Sequence, residues 1–491
     1  MTDDSEVGRF RPHHVAKAAG WLIVGQALSL CLKLALVPVL TRLLNPAEFG
    51  VVTVSMAFIL FITTLGGQGG WSAALVVIHR HNVAAWRSAY TFTLILASIM
   101  TVVVCAFAHP LAALIGMKGS VTFLRALAFL LPLVLGTEFL STYLISSDRY
   151  RSDAKIGLLA EVLAAISAIS GALAGLGAWA LVIQQVVAYA IRFVLGTRAS
   201  GLLPTMRPDF RLVWPLTPYA AKSTAAELVN FMGVQGPLIL VGRALGAAGG
   251  GLYGVSNRIT SLPGDILMQS LARILVPAFA SLPSGEERAK AVVWSGTANS
   301  FATVPILFGA AAVAKPLCSI VLGPAFIGAA GVLAWLAIGK AIAAPCAGFY
   351  SYLKAANRMG LLWGLMSVRS VLLIVGTVLG IRFGGVTGAG VGYAIAMVPV
   401  LLLFCAVVFN HAEISWRKGM SSFALIVFGA AIMAALVYQA STYLLGLGWS
   451  NVASLISSVP IGVAIYAAFV FFAFREEITK LRGMRFLGGA K

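Results

Sequence analysis

The chain has 491 residues, 60% of them hydrophobic and only 10% charged, with a formal net charge of +19. That much apolar surface cannot be hidden in one soluble core of this length, and it comes in runs of about 18–25 residues, the length that crosses a hydrocarbon slab. The alternating ten-residue segments of a membrane β-barrel are absent, and no polar segment is long enough to fold as a soluble catalytic domain.

A short polar stretch with Arg9, Arg11 and Lys17 precedes the first apolar run, which is too long for a signal-peptide core and reads as the first membrane helix. Hydropathy places about fourteen spans, near 17–40, 49–70, 88–108, 122–145, 156–174, 178–196, 216–241, 252–276, 292–314, 328–352, 360–381, 386–409, 421–445 and 452–474. The turn between the first two, Thr41 to Gly50, recurs without a gap in mid-sequence. Arg42 aligns with Arg243, Leu44 with Leu245, Ala47 with Ala248, Gly50 with Gly251, Val54 with Val255 and Ser55 with Ser256. A membrane chain that repeats its first hairpin reads as two pseudo-equivalent halves, with transport at the interface between them. The longest inner loop, 197–215, joins the two repeats and marks the natural boundary.

An even number of spans puts both termini on one side. With the N-terminus inside, only Arg42, Lys118, Arg243, Lys315 and Arg382 fall on outer segments, six basic residues lie within spans, and the rest of the 35 lie on inner ones. Both termini are therefore expected in the cytoplasm. The positive charge is topological under this reading and implies no nucleic-acid partner. The five cysteines, at 31, 105, 318, 346 and 405, sit in apolar segments without paired spacing. They read as small buried hydrophobes, with neither disulfides nor metal expected. His79 and His81 read as solvated loop residues, since no carboxylate or thiol joins them at ligand spacing. No residue grouping suits nucleophilic chemistry or a cofactor, and no enzyme activity is expected.

Charge at bilayer depth is expensive and marks a cavity or a partner. Six cations fall within spans: Lys33, Arg125, Lys222, Arg258, Lys340 and Arg369. Four acids do: Glu138, Glu161, Glu227 and Asp265. Arg125, Lys222 and Glu161 lie near predicted span ends, where they can snorkel to water. In the eighth span Arg258, Ser261, Asp265, Gln269 and Arg273 follow spacings of three and four, which makes a polar stripe. The seventh span offers Glu227 and Asn230 on one face, and Glu227 aligns with Gln26 under the repeat. Lys33, Arg258, Lys340 and Arg369 outnumber Glu138, Glu227 and Asp265. A wet cavity holding them would favour an anion, especially a phosphate, with Glu227 and Asp265 balancing charge or coupling to H+ or Na+.

The segment Leu40-Thr41-Arg42-Leu43-Leu44-Asn45-Pro46-Ala47-Glu48-Phe49-Gly50 resembles the first loop of bacterial polysaccharide exporters. These are the lipid-linked oligosaccharide flippases of the multidrug/oligosaccharidyl-lipid/polysaccharide exporter superfamily. Gly242 to Tyr253 resembles the same family's second such turn, and Pro277 its end of the eighth helix. The resemblance implies an all-helical protein of two six-helix bundles plus two further helices: 1–196, a cytoplasmic linker 197–215, 216–409 and 410–491. It implies alternating access in a bacterial inner membrane. The substrate would be an oligosaccharide repeat unit on undecaprenyl pyrophosphate, moved from the cytoplasmic to the periplasmic leaflet. Membrane lipids, a polysaccharide polymerase and export proteins are the further partners it suggests. Lys33 and Arg258 match, in type and approximate place, the cationic cavity residues of the superfamily's lipid II flippases. A lipid II flippase is one competing reading and a multidrug antiporter another. The antiporter is disfavoured by the span count and by Glu138 being the one deep acid of the first half. A membrane glycosyltransferase would need a large outer loop or catalytic carboxylates.

Overall fold

The repeated turn shows how the sequence builds a helix start. After helical residues 35–43 the chain breaks at Asn45 and restarts as helix α1, Pro46–Leu65. The break is held by a reciprocal pair of bonds. The Glu48 backbone N–H donates to Asn45 Oδ1 at 2.9 Å, and the Asn45 N–H donates to Glu48 Oε2 at 3.0 Å. Proline follows at the first helical position, where its missing N–H costs nothing. Replacing Asn45 with Ala is expected to cost about 0.5–2 kcal/mol, read as a lowered melting temperature of the purified protein in detergent.

The computed structural model describes residues 35–79, 82–281 and 285–473, together with Leu28, Leu32 and Lys33. Among them are helices and no strand. The chain continues through α2, Val83–Ala106; α3, Leu130–Ser146; α4, Tyr150–Leu173; α5, Trp179–Ser200; α6, Thr217–Ser281; α7, Glu286–Ala312; α8, Ala329–Ile342; α9, Cys346–Ala355; α10, Met359–His411; α11, Trp416–Gly446; and α12, Asn451–Ala473. Ten helices among the described residues are long and apolar enough to cross a membrane, or eleven if α8 and α9 are one span bent by 41°. The expected count of about fourteen is approached differently. α6 and α10 each run through a break, at Gly246 and at Gly384-Gly385, so each holds two predicted spans. Most of the first span, with Gln26 and Cys31, lies outside the described residues, as do His81 and the basic tail from Arg475 to Lys491. The chain is a multi-pass helical membrane protein.

Gly246 breaks α6 with φ 73°, which favours glycine. It is the repeat equivalent of Asn45, so both copies of the turn interrupt the chain at the same register. One copy uses a side-chain cap and the other a left-handed glycine.

Two compact units emerge: Met1–Leu44 with Ser55–Leu228, and Asn45–Val54 with Val229–Lys491. In the first, fully buried Trp86 stacks edge-on against Phe139 (5.4 Å) and Tyr143 (5.0 Å). Within the predicted linker 197–215, the structure shows helix at both ends. α5 continues to Ser200, and the loop beyond it is clipped to α2 by Thr205 N–H donating to Thr91 Oγ1 (2.8 Å) and Asp209 N–H to Ser88 Oγ (3.1 Å). In the second, the start of α1 crosses the second arm of α6 at the repeat-equivalent glycines. A Cβ on Gly50 would overlap the carbonyl oxygen of Ala247, and one on Gly251 would overlap that of Pro46. Phe49 adds an edge-on contact to Phe326 at 6.1 Å. Cys318, Cys346 and Cys405 are buried, Cys105 is half-buried, and all four are free thiols.

Candidate functional site

Within the second unit lies a cavity of about 450 Å³ that brings together two of the mid-span cations, Lys340 of α8 and Arg369 of α10. Asn257 and Ser261 of α6, Tyr350 of α9 and Lys354, exposed at the end of α9, also line it. The described lining residues include three cations and no carboxylate.

The local fold explains the opening. Pro345 cannot donate a backbone hydrogen bond, so the helix breaks between α8 and α9. The Ala344 carbonyl at that break accepts from the buried Asn299 Nδ2, which satisfies a polar group that would otherwise be orphaned in an apolar interior. The break turns Lys340 and Tyr350 toward the same space. On the opposite wall Ser370 Oγ donates to Val229 O at 2.7 Å and seats α10 closely on Gly233 of α6. That contact fixes the helix turn that carries Arg369.

The two cations are held differently. Lys340 Nζ donates toward four oxygens: Asn257 O (2.9 Å), Asn257 Oδ1 (2.7 Å), Thr260 Oγ1 (2.9 Å) and Ser261 Oγ (2.6 Å). Arg369 Nη1 lies 3.5 Å from Tyr350 OH, at the weak limit of N–H···O bonding, and 3.5 Å from Met366 Sδ, an ordinary length to a thioether that is itself a weak acceptor. A guanidinium with several donors and only weak acceptors is poised to take a stronger one, and a phosphate is its best geometric match.

The other sequence candidates distribute as follows. Asn230 lines the cavity. Arg258 is half-buried and is not among the described lining residues. The helix presents 257, 260, 261 and 264 to the cavity, and at about 100° per residue Arg258 sits at the margin of that face. Ser261 of the predicted stripe lies on that face. The side chains of Asp265, Gln269, Arg273 and Pro277 lie outside the described residues.

In the first unit, Lys33 Nζ lies 3.0 Å from Glu161 Oε1 and Arg192 Nη2 lies 2.7 Å from the same oxygen. This corrects the expectation that Glu161 sits at a span end and reaches water. α4 begins at Tyr150, six residues before the predicted edge, so Glu161 falls halfway along it and is buried. Arg125 and Lys222 are exposed, as snorkelling requires, while Glu138 is half-buried and Glu227 exposed. Arg192, close to the inner end of the predicted span 178–196, was counted with the inner residues. α5 in fact runs to Ser200 and closes on a left-handed Gly201 (φ 67°). That glycine was the available signal. Replacing Glu161 with Ala would leave two cations facing one another. Breaking a buried pair costs about 3–5 kcal/mol, and the partial exposure of Lys33 and Arg192 reduces the expected loss to about 1–3 kcal/mol. Thermal melts of the Ala variant with and without a compensating Lys33→Met would read it.

Comparison with known proteins shows the family and the fold. A family profile described as "Polysaccharide biosynthesis protein" matches residues 39–330. The succinoglycan biosynthesis transport protein ExoT of Rhizobium meliloti (strain 1021) is 29% identical over 474 residues, 96% of this chain and 95% of that one. The lipopolysaccharide biosynthesis protein WzxC of Escherichia coli K12 is 22% identical over 392 residues, 77% and 78% of the two chains. Among solved structures, the lipid II flippase MurJ in an inward closed conformation gives a TM-score of 0.74 at 12% identity, covering 93% of this chain and 99% of that one. A multidrug resistance transporter of the MATE family in an inward-facing conformation gives 0.59 at 16% identity, covering 79% and 94%. At these identities the structural likeness establishes the fold alone.

Proposed function

Because the chain belongs to the polysaccharide biosynthesis protein family, we propose that it moves a lipid-linked oligosaccharide repeat unit across a bacterial inner membrane. The move runs from the cytoplasmic to the periplasmic leaflet, with both termini of the chain in the cytoplasm. The observation that carries the reading is the cavity itself. Two cations from separate helices, Lys340 and Arg369, share one space inside a membrane-spanning unit. At low dielectric the attraction of such a pair for a pyrophosphate or an acidic sugar far exceeds its value in water. The same field repels cationic drugs, which argues against multidrug export.

Arg369 takes the headgroup directly, with Lys340 supplying fixed positive field and Lys354 meeting the anion at the rim. Lys33 and Arg258 act outside this cavity, Lys33 with its charge offset by Glu161. Relatives named for transport in succinoglycan biosynthesis and for lipopolysaccharide biosynthesis support the substrate class. The test is deletion of the gene. Glycolipid repeat units are expected to accumulate on the inner leaflet, and restoring the chain should clear them. Accumulation of the cell-wall precursor lipid II instead would assign the chain to that substrate.

A further inference from the structure

The oxygens around Lys340 form a richer set than an ammonium needs. An ammonium has three protons, yet four oxygens from Asn257, Thr260 and Ser261 approach Nζ within 2.6–2.9 Å. Each has lone pairs to give. The Thr260 hydroxyl spends its proton on Ser256 O at 2.8 Å, which leaves its oxygen turned to accept. The Asn257 carbonyl and amide oxygens are acceptors by nature. All four belong to little more than one turn of a single helix, and the cation arrives from another. Such a cluster of carbonyl, amide and hydroxyl oxygens satisfies a cation without directional bonds better than it satisfies a tetrahedral donor. The distances exceed those of magnesium (about 2.0–2.1 Å), and all but the shortest exceed the calcium range (about 2.3–2.6 Å). They suit a monovalent ion of ammonium size, which potassium closely matches.

We propose that Asn257, Thr260 and Ser261 make a monovalent-cation site on α6, and that Lys340 fills it with a tethered ammonium. A free ion would close α8 onto α6 only when bound. The tether keeps the pair closed and makes it indifferent to sodium and potassium. Asn257, Thr260, Ser261 and Lys340 all line the cavity, so an ion from solution can reach the oxygens once the side chain is removed. This inference goes beyond the transport reading and does not depend on it.

The test is a melting series on the purified full-length chain in detergent, in chloride salts of potassium, ammonium, sodium, lithium and choline at equal ionic strength. The wild type is expected to melt alike in all. Lys340→Ala should melt lower in choline and recover saturably with potassium or ammonium by about 2–8 °C. Adding Thr260→Val and Ser261→Ala should abolish that recovery. With Lys340 intact, the Thr260→Val/Ser261→Ala pair should lower the melting temperature equally in every salt. Lys340→Ala melting alike in all five salts would overturn the proposal, as would its failing to fold in potassium or ammonium. Recovery that survives loss of the two hydroxyls, or no effect of losing them with Lys340 present, would overturn it too. No glycolipid is needed, so this result and the outcome of any transport assay stand or fall separately.

Discussion

Arg369→Gln is expected to slow glycolipid transfer about 10- to 150-fold, the range given by losing one hydrogen-bonded charge contact worth about 1.5–3 kcal/mol. Three features of the site produce that expectation. Arg369 lines the cavity beside Lys340. Its contacts, a long one to Tyr350 OH and one to the poor acceptor Met366 Sδ, are too weak to hold it against a phosphate. Its helix is fixed by Ser370 bonding to Val229 and packing on Gly233, so the neutral variant should fold with the cavity in place. Arg369→Lys should recover only part of the rate, because an ammonium offers a point charge where the guanidinium offers a planar fork. Transfer is read in vesicles reconstituted with the purified chain and a pyrophosphate-linked glycan. An unchanged rate in Arg369→Gln would remove this residue from substrate handling.

Gly50→Val is expected to prevent accumulation of folded protein, and Gly251→Val to do the same. Overpacking inside a well-packed interior usually costs about 1–3 kcal/mol because neighbouring side chains yield. Here the obstructing atoms are backbone carbonyls, of Ala247 for Gly50 and of Pro46 for Gly251, with Gly251 N also 2.6 Å from the Gly50 Cβ position. Neither helix can give without separating from the other, so the cost should exceed that range. Gly157→Ala, with nothing within 4 Å of its Cβ position, is the control and should be neutral. Folded yield by size-exclusion of the detergent-solubilised variants distinguishes the two classes.

The crossing at Gly50 and Gly251 also shows what the sequence could say. The gapless match of the two turns located both helix breaks, and the equivalence of Asn45 with Gly246 put them in register. Hydropathy found Lys340 and Arg369 as mid-span cations because each sits deep within a long apolar run. It could not say that a break at Pro345 would turn α8 and α9 so that Lys340 and Tyr350 reach the same space. Nor could it find the depth of Glu161 or the role of Arg192. Both lie in helices that continue past the point where polar residues begin, since Tyr150 to Lys155 and Thr197 to Ser200 are polar enough to end a hydropathy window while remaining helical. Of the predicted stripe on α6, Ser261 lines the cavity, Arg258 is not among the described lining residues, and the side chains of the other three lie outside the described residues. Asn257 and Thr260 line it too, and their oxygens carry less weight in a count of charges but face Lys340.

The central claim is that the cavity of the second unit holds the anionic headgroup of a lipid-linked glycan. Equilibrium binding of two lipids to the purified chain tests it most directly: undecaprenyl pyrophosphate carrying the glycan, and undecaprenol, which has the same tail and no phosphate. The pyrophosphate lipid should bind the wild type, bind Arg369→Gln about 10-fold or more weakly, and lose affinity as salt rises, while undecaprenol binds weakly to both. Equal affinity for the two lipids, or equal binding of the pyrophosphate lipid to wild type and Arg369→Gln, would contradict the account.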